Sequence, residues 1–475
     1  MGRKAKPMRN SPDLRRKLAR TALALPLLAL GACNMAPHYQ RPTAPVASQW
    51  PQGAAYAPAE AGAAGMEWRQ MIADKRLAQV VEMALSNSRS IREQMASVAQ
   101  ARATWHVDRS AQLPTIAATG TGSVTRGVTN QGLNSDSYSL TGGMSSFEID
   151  LFGRVRNQSK AAFETYLSTQ SGLRSARLTL VEETAAAYVT LASDRDLLKV
   201  AQDTVTSGER SLTLTRSLFN SGLASGSDVE SAITVVEAAK SDVASYTTAV
   251  AQDRNALDLL VGKQVSDDLL PASLAELDPA IANVPAGLSS TVLLQRPDVV
   301  EAEHQLVSAN ASVGAARAAF FPTISLTSSI GVASTALSNL FTGGALNWNA
   351  TPSASMPLIG GTTRGNLEYA KAQKDYYVAA YELAVQTAFR DVANALARRG
   401  TINAQREAQA RYVSAARKAW LLAEDQFKAG IGTYQTALTA QRTYYTAQQT
   451  QISTLSSDLS NRVTLYAAIG ADNSL

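Results

Sequence analysis

The 475-residue chain carries 44 Lys and Arg against 39 Asp and Glu, with three histidines and a single cysteine. That inventory excludes a disulfide-stapled fold and leaves little for a clustered metal site. The nominal charge of +5 does not mark a nucleic-acid binder, because eight of the bases crowd into the first 20 residues.

Those bases (Arg3, Lys4, Lys6, Arg9, Arg15, Arg16, Lys17 and Arg20) precede the apolar run Thr21–Leu30 and the small residues Gly31 and Ala32. Basic, then apolar, then small is the order of an export signal, here residues 1–32. The run is too short for a membrane span, which takes about 20 apolar residues. Without residues 1–32 the balance becomes 36 bases against 38 acids, net −2. The lone cysteine, Cys33, follows at once. "Leu30-Gly31-Ala32-Cys33" resembles a bacterial lipobox, which implies lipidation of Cys33. The same resemblance implies outer-membrane sorting, since Asn34 is not the aspartate that retains such proteins in the inner membrane. Residues 33–66, rich in Ala, Pro and Gln, read as an extended tail.

Long stretches free of helix breakers follow. Asp74–Leu113 has 40 residues without Gly or Pro, and Gln158–Asn220 has 63 with only Gly172 and Gly208. Ser227–Val261, Asn366–Lys428 and Thr433–Ile469 add 35, 63 and 37 residues. At 1.5 Å per residue the longest would reach roughly 95 Å, against a usual globular helix of about 11–12 residues. Such lengths predict a coiled or tubular architecture.

Two nearly uncharged regions break this pattern. Ala318–Thr363 has no charged residue, and Ser110–Phe147 has only Arg126 and Asp136, both in the Gly/Asn-rich "RGVTNQGLNSD". Each region contains two segments of period-2 alternation, near 115–125, 137–147, 323–333 and 347–357. Ile116, Val124, Tyr138, Leu140, Met144, Ile324, Leu326, Ile330, Val332 and Trp348 fall on one face, and Thr, Ser and Asn on the other. A soluble hairpin resting on a core shows the same alternation. The export signal, the uncharged strands of about 10 residues and the confinement of charge to a loop favour a membrane β-barrel. Four strands cannot close one, since the smallest have about eight. The chain is therefore expected to oligomerise, three copies supplying twelve strands.

An internal repeat supports this symmetry. Pro114 and Pro322, Gly222 and Gly430, Leu257 and Leu465, and Gly262 and Gly470 all stand 208 residues apart. The expected boundaries are a first repeat over 67–262, a linker or equatorial segment over 263–296, a second repeat over 297–470 and a C-terminal tail over 471–475.

"PAGLSSTVLLQRPDVVEAEHQLVSANASVGAARAAFFPTISLTSS" (Pro285–Ser329), "CNMAPHYQRP" (Cys33–Pro42), "SFEIDLFGRVR" (Ser146–Arg156) and the two Gly-containing helix turns resemble the outer-membrane efflux lipoproteins, TolC-type channels of resistance-nodulation-division pumps. The resemblance implies a mixed α and membrane-β fold. Its homotrimer would share one 12-stranded barrel in the outer-membrane lipid, continued by a periplasmic α-helical barrel. It also implies two protein partners, a periplasmic adaptor and an inner-membrane transporter of that class, with no cofactor. A type I secretion channel is the alternative within the fold, and a non-channel coiled-coil lipoprotein is the alternative outside it. The lipobox and "LLQRPDVVEAEH" resemble the efflux branch.

A catalytic reading fails on inventory: His38, His106 and His304 are scattered, with no HxxxH or CxxC spacing. Trp105 and His106 read as packing residues, and His304 as a contact to a neighbouring helix. By the resemblance, function lies at the periplasmic helix tips, the turns Asn220–Gly226 and Ala429–Thr433. Gly222, Gly430 and Gly432 supply backbone freedom there as helix caps. Leu223 and Ile431 beside them are the expected adaptor contacts. The resemblance also places the periplasmic gate in "YQTALTAQR", where Gln435, Thr439 and Arg442 fall at i, i+4 and i+7. Thr439 stands where many relatives carry an aspartate, so neutral hydrogen bonds are expected to hold the closed state. Arg442 either pairs with Asp228 or Glu230 or remains a solvated surface charge.

Overall fold

The computed structural model describes residues 34–56, 66–126, 135–284, 289–342, 345–472 and 474–475. Cys33 and the expected signal lie outside the described residues. In chain order the elements are α1 (Trp68–Met71), α2 (Lys75–Asn87), α3 (Arg89–Ser110), β1 (Ile116–Thr125), β2 (Ser135–Glu148), α4 (Arg154–Asn220), α5 (Gly226–Val261), α6 (Leu274–Leu277), α7 (Pro297–Ala318), β3 (Thr323–Ser334), β4 (Leu346–Ser355), α8 (Gly361–Lys428) and α9 (Tyr434–Ile469). The chain divides into two compact units, Met1–Pro42 with Val98–Thr169 and Ala302–Tyr381, and Thr43–Ser97 with Gln170–Glu301 and Glu382–Leu475.

The first unit holds an antiparallel sheet in the order β1-β2-β3-β4. Its register keeps the two chemistries apart. Gly120 faces Leu140, Leu140 faces Val332, and Ile330 faces Trp348. On the other face Thr121 Oγ1 meets Ser139 Oγ at 2.6 Å, and Ser325 Oγ meets Ser353 Oγ at 2.8 Å. One bulge interrupts the register between Met144 and Phe147, where Ser146 adopts φ 50° and its N–H donates to Thr327 Oγ1 at 3.1 Å. An added residue reverses side-chain parity, so Phe147 pairs with Leu326 on the apolar face rather than on the hydroxyl face that strict alternation predicts. β1 and β4 form the edges, and every residue in both strands is exposed.

In the same unit, Trp105 packs against Phe163 and Tyr166, with ring centroids 4.9 and 6.0 Å away. His304 Nδ1 lies 2.8 Å from Glu164 Oε2, a contact from α7 to α4.

In the second unit the expectation of one helix over Asp74–Leu113 is corrected. The chain breaks at Ser88, whose ψ of 134° ends α2 before α3 begins. Gly262, which caps α5 at φ 76°, is pressed against this break; a Cβ there would lie 2.6 Å from Asn87 O. The close approach of Gly262 lies at this bend, where Asn87 and Ser88 are residues that favour caps over helix interiors. By contrast, α4 runs through Gly172 and Gly208 for 67 residues, and α8 runs for 68.

Residues 263–284 are packed rather than merely connecting. Leu274, Leu277 and Ile281 are buried, and Ile72 bridges Ile281 in antiparallel fashion. Asp278 is the hub: Arg406 Nη2 donates to its Oδ2 at 2.5 Å and Arg462 Nη2 to its Oδ1 at 2.9 Å. Both guanidinium groups also reach Asp458 Oδ2 at 2.6 Å. Buried charges persist only when paired in this way.

Candidate functional site

α4 and α8 each end in a Schellman turn. In the first, Leu223 N–H donates to Leu218 O at 2.8 Å and Gly222 N–H to Phe219 O at 2.9 Å. In the second, Ile431 N–H donates to Gln426 O and Gly430 N–H to Phe427 O, both at 3.0 Å. Gly222 and Gly430 both take φ 75°, a left-handed conformation that a side chain disfavours. Each turn restarts a helix through a cap. Ser225 Oγ accepts from Asp228 N–H at 3.2 Å while Asp228 Oδ2 accepts from Ser225 N–H at 2.9 Å. Thr433 Oγ1 accepts from Thr436 N–H at 3.3 Å.

The apolar residue that follows the glycine in such a turn usually folds back onto its own helix. Here it does not: Leu223 is 76% exposed and Ile431 80%. Below the turns the four helix ends are joined by a core of Leu212, Val235, Val236, Tyr434 and Leu438, against which Phe427 packs. Burial raises the Tyr434 phenol above its ordinary pKa, keeping it neutral within this core.

Gln435, Thr439 and Arg442 share an exposed face of α9, as their spacing predicts. Arg442 stays exposed on this face, as the surface-charge alternative has it, and bonds a hydroxyl rather than either acid. Asp228 is taken up by the Ser225 cap, and Arg442 Nη2 instead donates to Thr234 Oγ1 at 2.7 Å. Three further links between α9 and its neighbours were not legible in the sequence. Tyr445 OH donates to Asp242 Oδ2 at 2.8 Å, Gln449 Nε2 to Tyr246 OH at 3.3 Å and Gln441 Nε2 to Ser207 Oγ at 3.2 Å. The one available signal was the repeat offset, because Thr234 and Arg442 are 208 residues apart. Thr439 Oγ1 bonds back to Gln435 O within its own helix, at 2.9 Å.

Among the described residues no group of three His, Cys, Asp or Glu could hold a metal ion. No described helix is long and apolar enough to cross a membrane.

An amphipathic sheet with open edges, joined to very long helices that end in exposed turns, defines a TolC-type outer-membrane channel. The sequence model of the outer membrane efflux protein family matches residues 80–263 and 288–471, two segments that repeat the 208-residue offset, and the chain belongs to that family. It is 42% identical over 459 residues to the probable efflux pump outer membrane protein TtgC of Pseudomonas putida, covering 94% of each chain. A solved membrane protein from Pseudomonas aeruginosa superposes with a TM-score of 0.86 at 34% identity, over 92% of this chain and 100% of that one. The open state of the MtrE outer membrane channel of Neisseria gonorrhoeae gives a TM-score of 0.84 at 33% identity, over 93% and 99%. The chain is thus a channel protein of the outer membrane and not an enzyme.

Proposed function

We propose that three copies of this chain close their four-stranded sheets into one 12-stranded barrel and form the passive exit duct of a tripartite efflux pump. The separation of apolar and hydroxyl faces, kept in register across four strands with open edges, carries this reading. Such a sheet satisfies its edge hydrogen bonds in lipid only by pairing β4 of one copy with β1 of the next. Cys33 would carry the acyl anchor.

In the second unit, Gly222, Leu223, Gly430 and Ile431 form the adaptor-docking turns, and Gln435, Thr439 and Arg442 line the gate. An inner-membrane transporter of the resistance-nodulation-division class supplies the energy. The adaptor opens the gate by drawing α9 away from α5, which exchanges a few neutral and charge-assisted hydrogen bonds for contacts at the exposed turns.

Planar-bilayer recording of the purified protein tests both parts. A discrete ohmic conductance supports the duct, and its absence removes it. Thr439→Asp should shift selectivity towards cations. If neither conductance nor selectivity changes, the gate is not at Thr439.

A further inference from the structure

α7 presents three unlike residues in one line. Glu303, Asn310 and Gly314 are spaced by seven and then four positions, the spacing of one helix face. Each is occupied by the segment that follows Cys33. Arg41 grips Glu303 through Nε at 2.7 Å and Nη2 at 2.6 Å, and Tyr39 OH donates to the same carboxylate at 3.1 Å. Asn310 Nδ2 donates to Pro37 O at 2.8 Å. At Gly314 the segment lies so close that an added Cβ would stand 2.6 Å from Ala36 Cα.

The order of these contacts fixes the path. The segment runs antiparallel to α7, from Ala36 at Gly314 to Arg41 at Glu303. Eleven helical residues rise about 16 Å, and five extended residues span about the same. The contacts stay in step only because the segment is fully extended. Its first described residue, Asn34, then reaches α4: Asn34 Oδ1 accepts from Asn157 Nδ2 at 2.8 Å and from Ala36 N–H at 3.0 Å. Asn157 lies nine residues after the end of β2, and Gly314 nine residues before the start of β3. Asn34 is therefore pinned where the two central strands join their helices.

With the segment in place, polar groups on this face of α7 are largely removed from water. The Glu303 side chain is only 15% exposed, and without Arg41 its carboxylate would lose its countercharge. Asn310 is 4% exposed and has only its amide nitrogen partnered. Tyr381, wholly buried near Glu303 and Arg41, has a hydroxyl with no partner among the described residues. A segment that covers these polar groups must also partner them, and here the cover and the bonds come from the same residues.

We propose that Asn34–Pro42 is a measuring strap. It docks on the Glu303–Asn310–Gly314 face and holds the chain's attachment point at the sheet end of the first unit. An acyl anchor and the sheet then meet the membrane in one fixed register. The coupling to the membrane rests on the acylation of Cys33 proposed above; the docking does not.

Two readouts test this on the full-length acylated protein. The first is the rate of chymotryptic cleavage after Tyr39, which a docked strap resists. The second is the rate at which SDS-resistant oligomer appears in the outer membrane. Gly314→Leu, which crowds Ala36, and Arg41→Ala, which leaves α7 untouched, should each speed cleavage severalfold, since the bidentate bond of the half-exposed Arg41 and the close contact at Gly314 both hold the segment against local opening. Both should slow oligomer appearance severalfold, and adding Cys33→Ala with a replacement signal should slow it no further. Unchanged cleavage in Arg41→Ala overturns the docking, whether or not Gly314→Leu folds. Faster cleavage with unchanged assembly overturns the coupling. Failure of the channel reading itself would show differently, as a wild-type protein that forms no oligomer.

Discussion

Arg442 on α9 donates to Thr234 on α5 at 2.7 Å, and the two residues hold the same position in the two halves of the duplicated chain. Here the halves are joined by polar links, Arg442–Thr234 and Tyr445–Asp242, rather than by apolar packing alone. Each such bond contributes about 0.5–1.5 kcal/mol net. Arg442→Ala combined with Tyr445→Phe should thus shift a closed–open equilibrium by about tenfold or more towards open. Higher mean conductance in bilayers is the expected result, with little loss of thermal stability.

The exposed turns separate docking from folding. Leu223→Asp and Ile431→Asp replace side chains with few contacts, so stability should change by less than about 0.5 kcal/mol. Export and adaptor cross-linking should nevertheless fall. Gly430→Ala should behave in the opposite way, costing about 1 kcal/mol through its left-handed backbone. Thermal melts paired with cross-linking yields would show the crossover.

Asp194 on α4 and Asp253 on α5 share a hydrogen bond in the second unit. Burial, followed by the facing Asp194 carboxylate, pushes Asp253 up to about 6. An acid whose folded pKa is raised binds more protons in the native state, so stability falls as pH rises through the window from about 4 to 6. Asp253→Asn should flatten that window. At pH 7 it should add about 1 kcal/mol, the value being reduced by solvent screening of a partly exposed pair. Denaturation midpoints at pH 5 and pH 7 provide the comparison.

Asp458, with its side chain 5% exposed, is shared by Arg406 and Arg462. Asp458→Ala leaves two guanidinium groups competing for Asp278 and should cost about 3 kcal/mol. Replacing all four charged groups, Asp278 included, with apolar residues of similar volume should cost much less. Chemical denaturation of the two variants distinguishes a paired charge from a generic packing role.

Asn34 offers a clean test of sorting. Its contacts use only the side-chain carbonyl oxygen, so Asn34→Asp keeps both acceptors. Retention of that variant in the inner membrane would report sorting rather than misfolding. Cys33→Ala with a replacement signal should still insert and export, with slower assembly, as membrane fractionation would reveal.

Where the sequence was silent, the cause was mostly a contact distant in the chain. The four strands were legible because side-chain alternation is local. The bulge at Ser146 was not, because Thr327 on another strand accommodates it. The tips were legible from glycine placement. The hydroxyl partner of Arg442 was not legible, because the sequence offered only the acids near the other tip, Asp228 and Glu230, or a solvated surface charge. The break at Ser88 was missed because it carries no Gly or Pro and the cap-favouring Asn87 and Ser88 mark it only weakly.

The sequence by itself determined the long helices, the two-faced strands, the duplication and the turn glycines. Each follows from periodicity and backbone sterics, which act within a few residues. Only the tertiary structure decided which hydroxyl receives Arg442, which aspartates the buried arginines share and where the segment after Cys33 lies. Those choices depend on burial, because a polar group removed from water takes whichever partner the packing brings within reach, and sequence distance sets no limit on that.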